Sequence, residues 1–199
     1  MTTTTTRDEL GATLVQLRRK VDAHFDAAVA RSPHAFRCAE GCDVCCHVRI
    51  GVFAVEAAPI REALAHLADA DPALRTRVRL QADDPAHAHH CALLVDGRCA
   101  VYEQRPMICR SHGLPVLASD PEAPETMRLD HCPLNFTREP PPRASMLRLD
   151  AVNQPLALLA RLWTAPDATG RSPSGDPRIA LEDLARADDA PAPTTKPRS

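Results

Sequence analysis

Apolar residues recur at helical spacing near the start of the chain. Leu10, Leu14, Leu17, Val21, Phe25 and Val29 form one stripe. Ahead of them, Thr6-Arg7-Asp8-Glu9 fits a capping box, with an N-cap hydroxyl and a carboxylate at N3. This predicts a helix from about Arg7 to Arg31, stopped near Ser32-Pro33. Val48, Ile50 and Val52 alternate, which predicts a short extended segment. A second helix is expected from about Val55 to Ala68. Asp71-Pro72, an N-cap followed by proline at N1, opens a third helix to about Gln81.

Ala92 to Val95, then Asp96-Gly97, then Arg98 to Tyr102 predicts a hairpin with a type I′ turn. Glu103 to Ser111 reads as a helical turn containing Arg105-Pro106. Three prolines between Arg138 and Arg143 precede a last apolar helix, from about Leu149 to Trp163, which Pro155 should kink or shift. Beyond Thr164 the chain is rich in Pro, Asp and Ala. Asp176-Pro177 can cap a short helix through Ala187, and the rest is expected as disordered tail. The expected organisation is an amphipathic helix over residues 1–36, a cysteine-cluster domain over 37–135, a helix over 144–163 and a mostly disordered tail over 164–199. No internal repeat is present.

Composition narrows the class. The chain has 199 residues, enough for one domain with an extension. Of its hydrophobic residues 33 are alanine, and only six residues are aromatic, so the core is thin for this length. The net charge of −2 provides no global basic field for nucleic acid. No run approaches the ~18 apolar residues of a membrane span, and the threonine-rich start lacks a secretory h-region. A cytoplasmic protein is expected, with neither nucleic acid nor membrane as partner. Eight cysteines in a reducing compartment then point to metal or redox chemistry over disulfides.

Four of the eight fall within nine residues: Cys38, Cys42, Cys45 and Cys46. A loop with gaps of two and three residues can aim thiolates at one point, and Gly41 permits a tight bend. The polar neighbours Glu40, Gly41 and Asp43 argue against four buried structural thiols. Adjacent Cys45 and Cys46 argue against a disulfide framework, because a vicinal bridge is strained. The pair points in different directions in most backbone conformations, so it can serve two metals or leave one thiol to pack. The other four are Cys91, Cys99, Cys109 and Cys132. The hairpin can bring Cys91 and Cys99 together. Pro106 suits the first turn of a helix, which sets Cys109 near a helix N-terminus where a thiolate is favoured. Arg105 and Arg110 either offset the charge of a thiolate site or serve as surface or ion-pair residues.

These residues carry a resemblance. C-x3-C-x2-C-C followed by C-x7-C-x-V-Y-x-x-R-P-x-x-C-R resembles the YkgJ-like cysteine-cluster (CxxCxxCC) family, bacterial proteins expected to chelate zinc or iron. It spans about Cys38 to Cys132. The resemblance implies a small metal-binding domain, with Cys38, Cys42, Cys45, Cys46, Cys91, Cys99 and Cys109 at matching positions. Cys132, in a His-Cys-Pro context, matches less closely. No settled reaction is implied.

Competing motifs are weaker. Cys38-x3-Cys42-x2-Cys45 has radical-SAM spacing, but Val44 stands where that family favours an aromatic, and the serial strand–helix units are missing. Cys42-x-x-Cys45 lacks the βαβ context of a thioredoxin-like site. Cys109 and His112 are three apart, which would suit an activated thiol or a ligand pair if both were helical. His47, His87, His89, His90 and His131 sit beside cysteines or near them, although polar loops also account for them. His24, His34 and His66 have no functional reading. The expected fold is a small, mainly helical α+β domain with a short hairpin around a cysteine-rich metal centre. The expected function is chelation of zinc or iron, with a [4Fe–4S] cluster among the iron forms and all eight cysteines as candidate ligands. The alternative is a redox or catalytic Fe–S protein acting on a protein or peptide partner. The absence of an acid/base pair or a phosphate loop leans away from an enzyme.

Overall fold

The computed structural model describes residues 6–120, 122–123, 125–164 and 178–188. In chain order it contains α1 (Arg7–Arg31), β1 (Gly51–Val52), α2 (Ala54–Ala70), α3 (Pro72–Asp83), β2 (Leu94–Val95), β3 (Arg98–Cys99) and α4 (Met107–Ser111). β4 (Val116–Ser119), β5 (Met127–Asp130), β6 (Leu147–Arg148), α5 (Leu149–Trp163), β7 (Ile179–Ala180) and α6 (Leu181–Arg186) follow. Helices dominate, and the sheets have two or three strands, so the fold is α+β. The chain divides into two compact units, Met1–Cys45 with Pro106–Gly175, and Cys46–Arg105 with Asp176–Ser199.

In the first unit, α1 starts at the expected capping box. The Thr6 N–H donates to Glu9 Oε2 at 2.7 Å, and the Glu9 N–H donates to Thr6 Oγ1 at 3.3 Å. The helix ends at Ser32, whose N–H bonds the Ala28 carbonyl. Leu10, Leu14, Val21 and Ala28 are buried along its inner face, which packs against α4 and α5. Pro155 does not shift the start of α5, which runs from Leu149 with the proline inside it. Pro155 is exposed, so water can reach the carbonyl that loses its helical partner. Val152, Leu156 and Leu159 on the opposite side are buried.

This unit also holds a sheet that no short-range pattern announced. β4 pairs antiparallel with β5 and parallel with β6, in the order β5-β4-β6. Beside it Ala28, Phe36, Leu114 and Phe136 form a core. Phe36 lies 5.6 Å from Phe25 and 5.0 Å from Phe136, ring centre to ring centre, in tilted and edge-to-face contacts.

The second unit packs α2, α3 and α6 around Val52, Ile60, Leu64, Val78, Leu93 and Leu184. Asp71 caps α3 by accepting from the Leu74 N–H at 3.0 Å. The expected hairpin is β2–β3, with Leu94 opposite Cys99 and Val95 opposite Arg98. Asp96 and Gly97 both have positive φ, 51° and 72°, as a type I′ turn requires. Gln81 Nε2 ties the hairpin to α3 by donating to the Ala92 and Leu94 carbonyls at 2.6 and 2.8 Å.

Part of the expected tail is ordered. β7 pairs antiparallel with β1, and α6 follows directly, with Leu181 and Leu184 in the core. Arg75, only 2% exposed, donates to the Ala185 and Ala187 carbonyls at 2.7 Å each and so closes the end of α6. Residues 165–177 and 189–199 of the expected tail lie outside the described residues.

Candidate metal centre

The eight cysteines divide between the two units. Cys38, Cys42, Cys45, Cys109 and Cys132 fall in the first, and Cys46, Cys91 and Cys99 in the second. None is in a disulfide and none is fully buried; Cys38 is exposed and the other seven are half-buried.

Cys38 follows the buried Phe36 and is held by Asn135. The Asn135 Oδ1 accepts the Arg37 N–H at 2.8 Å. Its Nδ2 donates to the Gly113 carbonyl at 2.8 Å and approaches Cys38 Sγ at 3.5 Å. The same residue fixes the loop of Cys132, because the Asn135 N–H donates to the Cys132 carbonyl at 2.9 Å. The neighbouring Phe136 N–H donates to the Ala35 carbonyl at 2.8 Å. The segments carrying Cys38 and Cys132, far apart in sequence, are therefore stitched side by side. Cys42 sits on a turn, its N–H bonded to the Ala39 carbonyl at 3.0 Å, with Gly41 at φ 85°. Cys45 lies in the 3-10 turn Val44–Cys46.

The Cys38 thiol lies within electrostatic reach of the other three. Partial burial pushes the Cys38 thiol up from its ordinary value, the Asn135 amide opposes that shift, and charge on Cys132, Cys42 or Cys45 raises it further. A cation would reverse the balance, since thiolates that repel one another share a positive ion well. Gly113 leaves the space that Cys38 needs. Its φ is 97°, and a Cβ there would stand 2.7 Å from Cys38 Sγ.

In the second unit the hairpin brings Cys91 and Cys99 within mutual influence. Burial pushes the Cys91 thiol up to about 11; the Leu93 N–H lowers it, and charge on Cys99 raises it. Cys46 joins this pair through the backbone, its carbonyl accepting the Cys91 N–H at 2.7 Å. Glu182 and Arg49, 3.8 Å apart, also act on Cys91, with opposite signs.

Other candidates have different surroundings. Cys109 is the third residue of α4, behind Pro106 as N-cap. His112 is the C-cap of that helix, with extended backbone at ψ 135°, so the helical alignment with Cys109 stops short of it. Burial lowers the His112 pKa, against Asp130. Arg110 is buried and pairs with Asp22 at 2.6 Å, the ion-pair role of the two foreseen for it. The Arg105 guanidinium lies 4.1 Å above the Tyr102 ring. His131 Nδ1 bonds the Cys132 carbonyl at 3.0 Å.

Sequence reasoning missed Asn135 and Gly113. A single asparagine or glycine outside the cysteine motif carries no local signal of the side chain it serves.

The thiols of Cys38, Cys42, Cys45 and Cys132 are soft donors of the kind zinc and iron take. The Asn135 amide supplies the outer hydrogen bond that such sulfurs accept. Among the described residues no three His, Cys, Asp or Glu are closed tightly enough to hold a metal as they stand. The donor set fits zinc or iron in its chemistry. No described helix is long and apolar enough to cross a membrane. Residues 37–131 match the CxxCxxCC family, whose description reads "Putative zinc- or iron-chelating domain". No curated protein and no solved structure matches the chain.

Proposed function

We propose, from the match of residues 37–131 to the CxxCxxCC family, that this protein chelates zinc or iron through a four-thiolate centre of Cys38, Cys42, Cys45 and Cys132. The observation that carries the choice is the shared environment of these thiols, with Cys38 feeling the other three and Asn135 binding both Cys38 and the Cys132 loop. Cys132 lies one residue beyond the family match and enters the set on that observation.

The set serves tetrahedral zinc or a [4Fe–4S] cluster equally, since both take four thiolates. When bound, the ion would tie the loop of residues 38–45 to Cys132 and so couple metal loading to folding of the first unit. Cys46, Cys91 and Cys99 form a separate thiol group, and Cys109 supplies a further thiol on α4. A reducing compartment, the cytoplasm, suits eight cysteines outside disulfides.

Replacing Cys132 with serine tests the assignment. Metal content of the purified full chain should fall together with the stability of the first unit. Full loading and an unchanged unfolding midpoint would remove Cys132 from the site.

A further inference from the structure

Three histidines of the second unit lie outside the thiol centre. The Cys91 N–H bond to the Cys46 carbonyl, 2.7 Å, sets Cys46-His47 beside His90-Cys91. The His47 and His90 rings consequently lie 4.6 Å apart, edge to face. The His90 N–H donates to the His87 carbonyl at 3.0 Å, and this turn brings the His87 ring to 6.1 Å from that of His90. Arg49 braces the turn against the end of α3, bonding the His87 carbonyl at 3.1 Å and the Ala82 carbonyl at 3.0 Å.

Two details prepare nitrogens for a ligand. Asp84 Oδ2 lies 3.0 Å from His87 Nδ1. A carboxylate only accepts, so Nδ1 carries a proton, and in the neutral ring Nε2 is left with the lone pair, as in carboxylate–histidine–metal arrangements. His90 Nδ1 is buried and has no hydrogen-bond partner among the described residues. A nitrogen so placed is costly unless something binds it.

The spacing agrees with a shared ion. A metal about 2 Å from an imidazole nitrogen stands about 3.2 Å from the ring centre, so two imidazoles on one tetrahedral metal have centres about 5 Å apart. The observed separations, 4.6 and 6.1 Å, bracket that value. The rings do not form a closed sphere as they stand, and rotation of the His87 side chain, 46% exposed, would close it.

We propose that His47, His87 and His90 form an imidazole site for a borderline divalent cation of the zinc–nickel class, with water completing the coordination. Its donors are independent of Cys38, Cys42, Cys45 and Cys132, so it stands or falls apart from the thiol centre.

The test is equilibrium dialysis of the full-length, zinc-loaded chain against nickel(II), with absorption spectra of the same samples. The expected result is about one nickel bound beyond the zinc content, without thiolate-to-nickel charge transfer. His87→Ala and His90→Ala should each weaken that binding by about tenfold or more. His89→Ala, an exposed neighbour in the same loop, should leave it unchanged. The His87 side chain is 46% exposed, so its replacement disturbs the fold least, and circular dichroism verifies this. No extra nickel, equal loss in His89→Ala, or a thiolate charge-transfer band that vanishes in Cys91→Ser would each overturn the proposal.

Discussion

Asn135 holds the candidate centre together, and its replacement has a calculable outcome. The residue is 0% exposed. Its amide accepts from Arg37, donates to Gly113 and approaches Cys38 Sγ. Asn135→Leu keeps the branched shape and removes all three contacts. The Arg37 N–H and the Gly113 carbonyl then lose a partner, and each orphaned backbone group costs about 1–3 kcal/mol. The expected loss is about 2–6 kcal/mol, nearest the upper figure if the pocket stays dry. Asn135→Asp keeps the acceptor for Arg37 but loses the donor to Gly113 and sets a carboxylate beside Cys38. It should push the Cys38 thiol further up and weaken metal binding. Trp163, the single tryptophan, lies in the first unit, so its fluorescence in a urea titration reports on that unit. Chelator competition on the loaded protein gives the affinity, expected to fall about tenfold or more. A change below about 0.5 kcal/mol in Asn135→Leu, within the range of an ordinary surface substitution, with unchanged affinity, would refute the reasoning.

Further outcomes follow from the same structure. Gly113→Ala meets both a left-handed backbone and a Cβ position 2.7 Å from Cys38 Sγ. It should cost about 1–3 kcal/mol and weaken metal binding, as urea midpoints and chelator competition will show. Arg110→Met removes the 2.6 Å bond to Asp22 from a side chain 7% exposed, for an expected loss of about 1–3 kcal/mol. A double-mutant cycle with Asp22→Asn isolates the pair, and Arg110→Lys should recover part of it. In metal-free protein the Cys91 thiol, raised to about 11 by burial, keeps its proton after the unfolded thiol has lost its own near 9. That difference contributes about 2–3 kcal/mol, fully present below pH 9 and lost as pH rises through 11. Denaturation at pH 8 and pH 11 should show the loss, and Cys91→Ala should reduce it.

What could be read in the sequence was local. The capping box at Thr6 and the apolar stripe behind it define α1, and Asp96-Gly97 between apolar runs defines the hairpin. The cysteine spacing led to the CxxCxxCC family. What escaped was long-range. All four residues of β5 are exposed, so it has no buried–exposed alternation to read. β6 is two residues long and pairs in parallel with β4, which no turn signal announces. β7 and α6 sit in a Pro- and Asp-rich stretch whose composition suggests tail, and only pairing with β1 and burial of Leu181 and Leu184 order them. Arg110 needed the structure to choose its role, because Asp22 is remote in sequence. The neighbourhood of Cys132 and Cys38 depends on Asn135, a residue no motif marks.

The central claim is that thiolates of the first unit hold zinc or iron. Elemental analysis for zinc, iron and acid-labile sulfide, on anaerobically purified full-length protein and its Cys38→Ser and Cys132→Ser variants, tests it most directly. The account predicts either colourless protein with bound zinc or brown protein with iron and sulfide in comparable amounts, absorbing near ~400 nm. In both cases the content falls in both variants. Folded wild-type protein free of zinc and iron, or metal content indifferent to both cysteines, would contradict it.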